Sequence, residues 1–205
     1  MAKIQPLPAA ATSSSPSSSS SPEGHQHGKQ VYTVWMKSLV FNGNGCTVYT
    51  PAGGVAFRVD NYGCKGGREV FFMDRAGNTL IRIRRKGFGM FRSWEVCRCA
   101  HDGGDEEEAA PWFSVRRAQK GGAAVTMHGG AGTCYTVDGS CPRKSEYRVI
   151  SGGAGGAVVA EVTRKQTSAG VVLGEDVLTL KVGPEVDHLL VLGLVVVRGL
   201  MNRSM

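Results

Sequence analysis

Long apolar runs are missing from this sequence. The longest spans residues 189–197 and holds nine residues, whereas a membrane-crossing helix takes about 20. No transmembrane span is therefore expected. Residues 1–22 lack an apolar stretch that could serve as the core of a secretory leader, and they contain no acid. A plastid transit peptide shares that acid-free, serine-rich composition but brings arginines and an amphipathic pattern, both absent here. Without a leader, Cys46, Cys64, Cys97, Cys99, Cys134 and Cys141 read as reduced thiols, several of them small core hydrophobes. Cofactor fingerprints are missing as well. The glycine run at residues 152–156 lacks the Gly-Lys-Ser/Thr ending of a phosphate-binding loop and reads as a hairpin turn. No nucleophile–base pair and no paired carboxylates emerge from spacing. The expectation is no enzyme, no catalytic residue, no cofactor and no metal.

Glycine is what the chain has in excess: 29 of 205 residues, about twice the ordinary ~7%, with no collagen period. Hydrophobic residues reach 41%, which excludes a wholly disordered chain. Lys and Arg number 24 against 17 Asp and Glu, a net charge of +7 that favours anionic partners without fixing a fold.

Residues 11–22 carry eight serines and two prolines. Such a stretch cannot bury enough to offset its ordering entropy, so residues 1–29 are predicted to be a disordered tail preceding one domain at 30–205. Strand-like runs then recur between glycine-rich turns: 31–35, 45–50, 55–59, 70–73, 80–84, 93–99, 112–117, 133–137, 146–150, 158–162 and 177–182. Leu80-Ile-Arg-Ile-Arg84 alternates apolar and basic, the period of a half-buried strand. No helical crossover separates these runs, which points to an antiparallel sandwich or barrel. His101-Asp-Gly-Gly-Asp-Glu-Glu-Glu108 interrupts them with five acids and reads as a solvated loop.

The chain also repeats itself. Val59-Asp60 matches Val137-Asp138, and Leu80-Ile-Arg-Ile-Arg-Arg-Lys86 matches Val159-Ala-Glu-Val-Thr-Arg-Lys165. The offset stays near 78 residues, too long for a solenoid. Two similar halves closing one barrel would account for it; chance likeness between hairpins is the alternative.

One segment differs from the rest. After Gly183-Pro184, the run to Met201 exceeds ordinary strand length and is predicted to be a helix over about 185–201. Pro184 suits the first helical position, Glu185 and Asp187 suit a first turn, and Arg198-Gly199 suit an end. Its valine content leaves an internal strand as the alternative. As a helix it is apolar on every side, and in an all-β domain the place that buries such a helix is the inside of a closed barrel.

Candidate binding residues are basic. Arg82, Arg84 and Lys86 fall on one strand face opposite Ile81 and Ile83, at intervals of ~7 Å, a cradle for lipid phosphates. The alternative is a solvated outer face that discourages edge pairing. Arg92, Arg116, Arg143 and Lys165 are secondary candidates for the same anion-binding role. Lys86-Gly-Phe-Gly-Met-Phe91 partly matches an RNA-binding RNP1 run, but Ser93 and Met90 stand where aromatics belong and two amphipathic helices are missing. Cys97, Cys99 and His101 could ligate a metal but find no second cluster to complete a site. His25 and His27 sit in the tail. His188 reads as a satisfied histidine.

Trp35-Met-Lys-Ser-Leu39, Val55-Ala-Phe-Arg-Val-Asp-Asn-Tyr62, Met73-Asp-Arg-Ala-Gly-Asn-Thr-Leu80, Ile83-Arg-Arg-Lys86, Trp112-Phe-Ser-Val-Arg-Arg117, Val162-Thr-Arg-Lys165, Leu173-Gly-Glu-Asp-Val177 and the terminal apolar segment together resemble the plant LURP-one-related family, in the tubby-like C-terminal superfamily with the phospholipid scramblases. The resemblance runs from about Val31 to Met201. It implies a mainly β fold, a closed antiparallel barrel of about twelve strands around a central hydrophobic C-terminal helix. It also implies a non-enzymatic protein of signalling or defence that binds anionic phospholipid (phosphoinositide) or a protein partner through a basic barrel face. The implied location is cytoplasmic, peripheral at the plasma membrane, or nuclear. A nucleic-acid-associated transcriptional regulator using the same face is the alternative function.

Overall fold

The computed structural model describes residues 28–37, 45–60, 69–87, 93–99, 110–118, 121–129, 134–139, 145–152 and 155–202. Twelve strands precede one helix: β1 (Gln30–Trp35), β2 (Gly45–Tyr49), β3 (Val55–Asp60), β4 (Glu69–Asp74), β5 (Thr79–Lys86), β6 (Ser93–Arg98), β7 (Pro111–Arg117), β8 (Ala123–Met127), β9 (Cys134–Asp138), β10 (Tyr147–Ser151), β11 (Val158–Arg164), β12 (Val177–Val182) and α1 (His188–Asn202). Each strand pairs antiparallel with its sequence neighbours, and β1 pairs with β12 from Gln30↔Val182 to Trp35↔Val177. The sheet is thus a closed up-and-down barrel with no edge left to template aggregation.

Alternation builds the wall. Inward-facing Ile81 and Ile83, Phe113 and Val115, Val149, Val162 and Leu180 are fully or almost fully buried, while their neighbours face out. The expected turns form where glycine or Asx chemistry permits them. Gly77, with φ of +96°, donates its N–H to the Asp74 carbonyl, and the Asp74 carboxylate accepts from the Asn78 backbone N–H at 2.9 Å. One strand, β8, escapes a reading of the sequence. Its run Ala-Ala-Val-Thr-Met has a single β-branched apolar residue, so propensity is weak, and pairing with β7 and β9 sets its conformation.

Helix α1 fills the tube. Residues 190–199 are all buried; ten consecutive residues cover nearly three turns, so every side is enclosed. Gly193 lies where the walls come closest: a Cβ there would meet Ile81 Cδ1 at 3.1 Å and Phe113 Cζ at 3.3 Å. The internal-strand alternative is excluded.

The predicted helix start is corrected, while the predicted end near Met201 agrees to one residue. The helix starts at His188, not near 185. Residues 184–186 form a turn, and Asp187 is the N-cap, its Oδ1 accepting from the N–H groups of Leu189 (2.8 Å) and Leu190 (3.3 Å). Competition from that side chain ends the turn before Pro184 can serve as the first helical residue. At the other end the helix passes through Arg198 and Gly199 to Asn202. Arg198 does not stop it, because its guanidinium reaches sideways to the Gly121 carbonyl.

The repeated segments take on a spatial meaning. They fall on β3 to β5 and β9 to β11, each pair six places apart in a ring of twelve, hence on opposite walls. The segment 1–27, the run 101–108 and His25, His27, Cys64 and Cys141 lie outside the described residues.

Candidate functional site

In an up-and-down barrel every odd-numbered strand runs toward the same end. Helix α1 starts from the far end of β12 and points the same way, so its C-terminus emerges at that pole. Lys37 follows β1, Lys86 ends β5, Arg116 and Arg117 end β7, and Lys165 follows β11. Basic residues scattered through the sequence are thus brought to one pole.

On the β5 wall, Arg82, Arg84 and Lys86 face outward, opposite the buried Ile81 and Ile83. Carboxylates on both neighbouring strands answer them. Arg82 Nε lies 3.5 Å from Glu69 on β4, and Arg84 Nη2 and Lys86 Nζ lie 4.0 and 3.3 Å from Glu95 on β6. Antiparallel register explains the arrangement, since Glu69, Arg84 and Glu95 form one row across the three strands. Among the described residues the stripe is therefore a charge ladder in which Glu69 and Glu95 answer Arg82, Arg84 and Lys86, and it stabilises the wall as well as advertising charge. The next row is freer. Lys86 faces Ser93, which faces Arg116. Both cations are exposed, two strand spacings or roughly 10 Å apart.

Lys165 is not on this wall. It follows β11, diametrically across the ring from β5, and its Nζ donates to Thr33 Oγ1 at 2.9 Å. It shares the pole with Lys86 and Arg116, not their face. Sequence adjacency cannot reveal this, because strand order in the closed ring decides it. Arg92 and Arg143 lie outside the described residues.

Two groups at the pole were missed by sequence reasoning. Arg198, 7% exposed, reaches the Gly121 carbonyl and lies 5.6 Å from the Tyr147 ring centroid. Burial lowers its pKa, opposed by Tyr147 and assisted by the nearby Arg117. The buried Tyr147 hydroxyl has its pKa pushed up by desolvation. Arg117 donates to the Met201 carbonyl at 2.6 Å, satisfying the helix end. Gly139 is required here, since a Cβ would lie 2.4 Å from the Gly121 carbonyl oxygen. A lone arginine inside an apolar helix was the available signal.

The second group joins β1 to the strap before β12. Asp176 Oδ2 accepts from Trp35 Nε1 at 3.0 Å and pairs with Lys37 Nζ at 3.0 Å. The Lys37 bond, then the Trp35 bond, holds the Asp176 carboxyl below its ordinary pKa.

Chemistry elsewhere is structural. Arg98 pairs with Asp187 and stacks 3.9 Å from the Trp112 ring centroid, closing the opposite pole over the helix start. His188 Nδ1 is 3.0 Å from the Tyr32 hydroxyl, which donates to Gln30. Cys46 and Cys97 are buried free thiols, Cys99 is half-buried, and Cys134 is exposed. Among the described residues no group of His, Cys, Asp or Glu could hold a metal, and no helix is long and apolar enough to cross a membrane. Phe88 and Phe91 of the RNP1-like run are outside the described residues, and a closed barrel around one helix is not the RNA-recognition fold that run requires.

Comparison with known proteins gives a family model described as LURP-one-related, matching residues 30–199. The Arabidopsis thaliana protein LURP-one-related 11 is 38% identical over 184 residues, covering 85% of this chain and 78% of that one. Arabidopsis LURP-one-related 4 is 39% identical over 174 residues, covering 85% and 79%. An X-ray structure of an Arabidopsis protein superposes with a TM-score of 0.59 at 19% identity, covering 84% of this chain and 92% of that chain. That last likeness is one of fold.

Proposed function

The chain belongs to the LURP-one-related family, and from that premise we propose that it is a non-enzymatic barrel that binds anionic phospholipid, phosphoinositide above all, in plant signalling or defence. The observation that carries the reading is the outward row of Lys86 and Arg116 at the pole. There, cations exceed the carboxylates that answer them. Arg116 has no ion pair among the described residues, and Lys86 shares Glu95 with Arg84. With Arg82 and Arg84 set against Glu69 and Glu95, the two cations of this row are the surplus among the described residues. A cation near an anionic bilayer contributes about 1 kcal/mol, so a handful of them produces reversible surface binding that salt weakens.

Vesicle co-sedimentation tests this. The wild type should pellet with phosphatidylcholine vesicles containing phosphoinositide, much less with phosphatidylcholine alone, and release as salt rises. The double variant K86A/R116A should bind about 30-fold more weakly, from two lost charges at ~1 kcal/mol each, with its melting temperature unchanged. Equal pelleting with neutral and anionic vesicles at low salt overturns the reading.

A further inference from the structure

Between β11 and β12 the chain rises past the last barrel rung. Lys165 donates its N–H to the Val177 carbonyl, and its own carbonyl accepts from Leu173. Gln166 then pairs with Val172 in an isolated antiparallel bridge beyond the Arg164↔Leu178 rung. The tip is a tight turn: Thr167 donates to the Val171 carbonyl, Gly170 to the Thr167 carbonyl, and Thr167 Oγ1 accepts from the Val171 N–H at 3.1 Å. Gly170 takes φ of +77°. Arg164 Nη2 braces the return arm at the Leu173 carbonyl, 2.9 Å away. Residues 166–172 are all exposed, so this short hairpin stands clear of the barrel.

Its tip is apolar. Among the described residues the exposed large hydrophobics are Val158, Val171 and Val172, and two of the three are adjacent on this hairpin. Val171 is 61% exposed. A single exposed valine needs no explanation; a rigid projection that displays two of them does. The hydrogen bonds hold the tip in shape before any partner arrives, so seating it costs little ordering entropy.

The surroundings identify the partner. At the hairpin base Lys37, Arg164 and Lys165 outnumber Glu175 and Asp176, and Lys37 extends outward. The tip rises from the pole that also carries Lys86, Arg116 and Arg117. An exposed apolar pair beside a hairpin turn, with cations on the same end of the barrel, matches an anionic bilayer, whose headgroups meet the charges and whose acyl boundary takes the valines.

We propose that the barrel docks end-on to an anionic bilayer, with Val171 and Val172 seated below the headgroups and Lys37, Lys165, Lys86 and Arg116 at headgroup level. This rests on the lipid-binding reading and adds the orientation to it. End-on docking lets cations from opposite walls engage one plane at once, which a side-on approach through β5 does not.

Tryptophan quenching by brominated phosphatidylcholine, in vesicles also containing phosphatidylserine, tests the orientation. Val171→Trp should be quenched well beyond the wild-type tryptophans, whereas Ala76→Trp, exposed at the opposite pole, should add no quenching. The variant V171D/V172D should pellet with these vesicles about tenfold less, from lost apolar transfer and the cost of carrying carboxylates into the bilayer, at an unchanged melting temperature. If the wild type pellets but Val171→Trp and Ala76→Trp are quenched alike, or V171D/V172D binds as the wild type does, end-on docking is overturned while lipid binding stands. If the wild type pellets with no anionic vesicle, both fall. If sedimentation velocity shows a wild-type dimer that V171D/V172D dissociates, the hairpin seats a second copy of the chain and the lipid assignment is overturned.

Discussion

Leu194→Ala is the sharpest probe of a helix held inside a β wall. Leu194 is 1% exposed, among ten consecutive buried helix residues. Truncating a buried leucine removes transfer free energy and leaves a cavity, at a cost of about 2–5 kcal/mol set by how far the surroundings collapse. Here collapse is resisted from every direction. Each strand is hydrogen-bonded on both sides, so the ring cannot shorten locally, and α1 cannot shift toward one wall without leaving another. A cost in the upper half of the range is expected, about 4 kcal/mol. For a domain of this size each kcal/mol lowers Tm by about 2–4 °C, so the melting temperature should fall by roughly 10 °C. Urea unfolding followed by circular dichroism gives the free energy, and Val171→Ala on the exposed hairpin is the control, expected within about 0.5 kcal/mol of wild type. A loss below about 1 kcal/mol for Leu194→Ala would refute the enclosed helix, since a surface helix could relax or leave that side chain half in water.

Two further outcomes follow from the ends of the barrel. Asp187→Ala removes both the cap on Leu189 and Leu190 and the Arg98 ion pair, and should cost about 1–2 kcal/mol. Asp187→Asn keeps the cap acceptor and should lose less than half of that in urea titrations; equal losses would contradict capping as the dominant effect. Asp176 has a depressed pKa in the folded state, through Lys37 and then Trp35. Its contribution is therefore complete above the unfolded value near 4 and drains away as pH falls through the lower folded value. Asp176→Asn should be less stable than wild type at neutral pH, and that difference should shrink below about pH 4; thermal melts showing a constant gap from pH 7 to pH 2 would contradict the assignment.

Alternation and turn chemistry made most of the wall legible. Leu80-Ile-Arg-Ile-Arg84 announces which side faces in, and Asp74-Arg-Ala-Gly77 announces its own turn, because both signals are local and strong. The apolar segment after Pro184 declares enclosure, since water on any side of it would be costly. Where the signal is weak or shared, the sequence misleads. Ala123 to Met127 becomes a strand because two neighbours supply its hydrogen bonds. Pro184 and Glu185 resemble a helix start, yet the Asp187 carboxylate takes the first free N–H groups and delays the helix to His188.

The candidate site divides along the same line. Composition and a period of two determined that this chain has a surplus of positive charge and that Arg82, Arg84 and Lys86 share a face. Only closure of the ring decided that Glu69 and Glu95 neutralise much of that face, that Lys165 stands on the opposite wall yet at the same pole, and that Arg198 points from the helix to the Gly121 carbonyl. Covalent order fixes which residues are neighbours along a strand. Which strands meet, and which ends point the same way, follows from joining β1 to β12, a contact between residues about 150 positions apart that no local preference encodes.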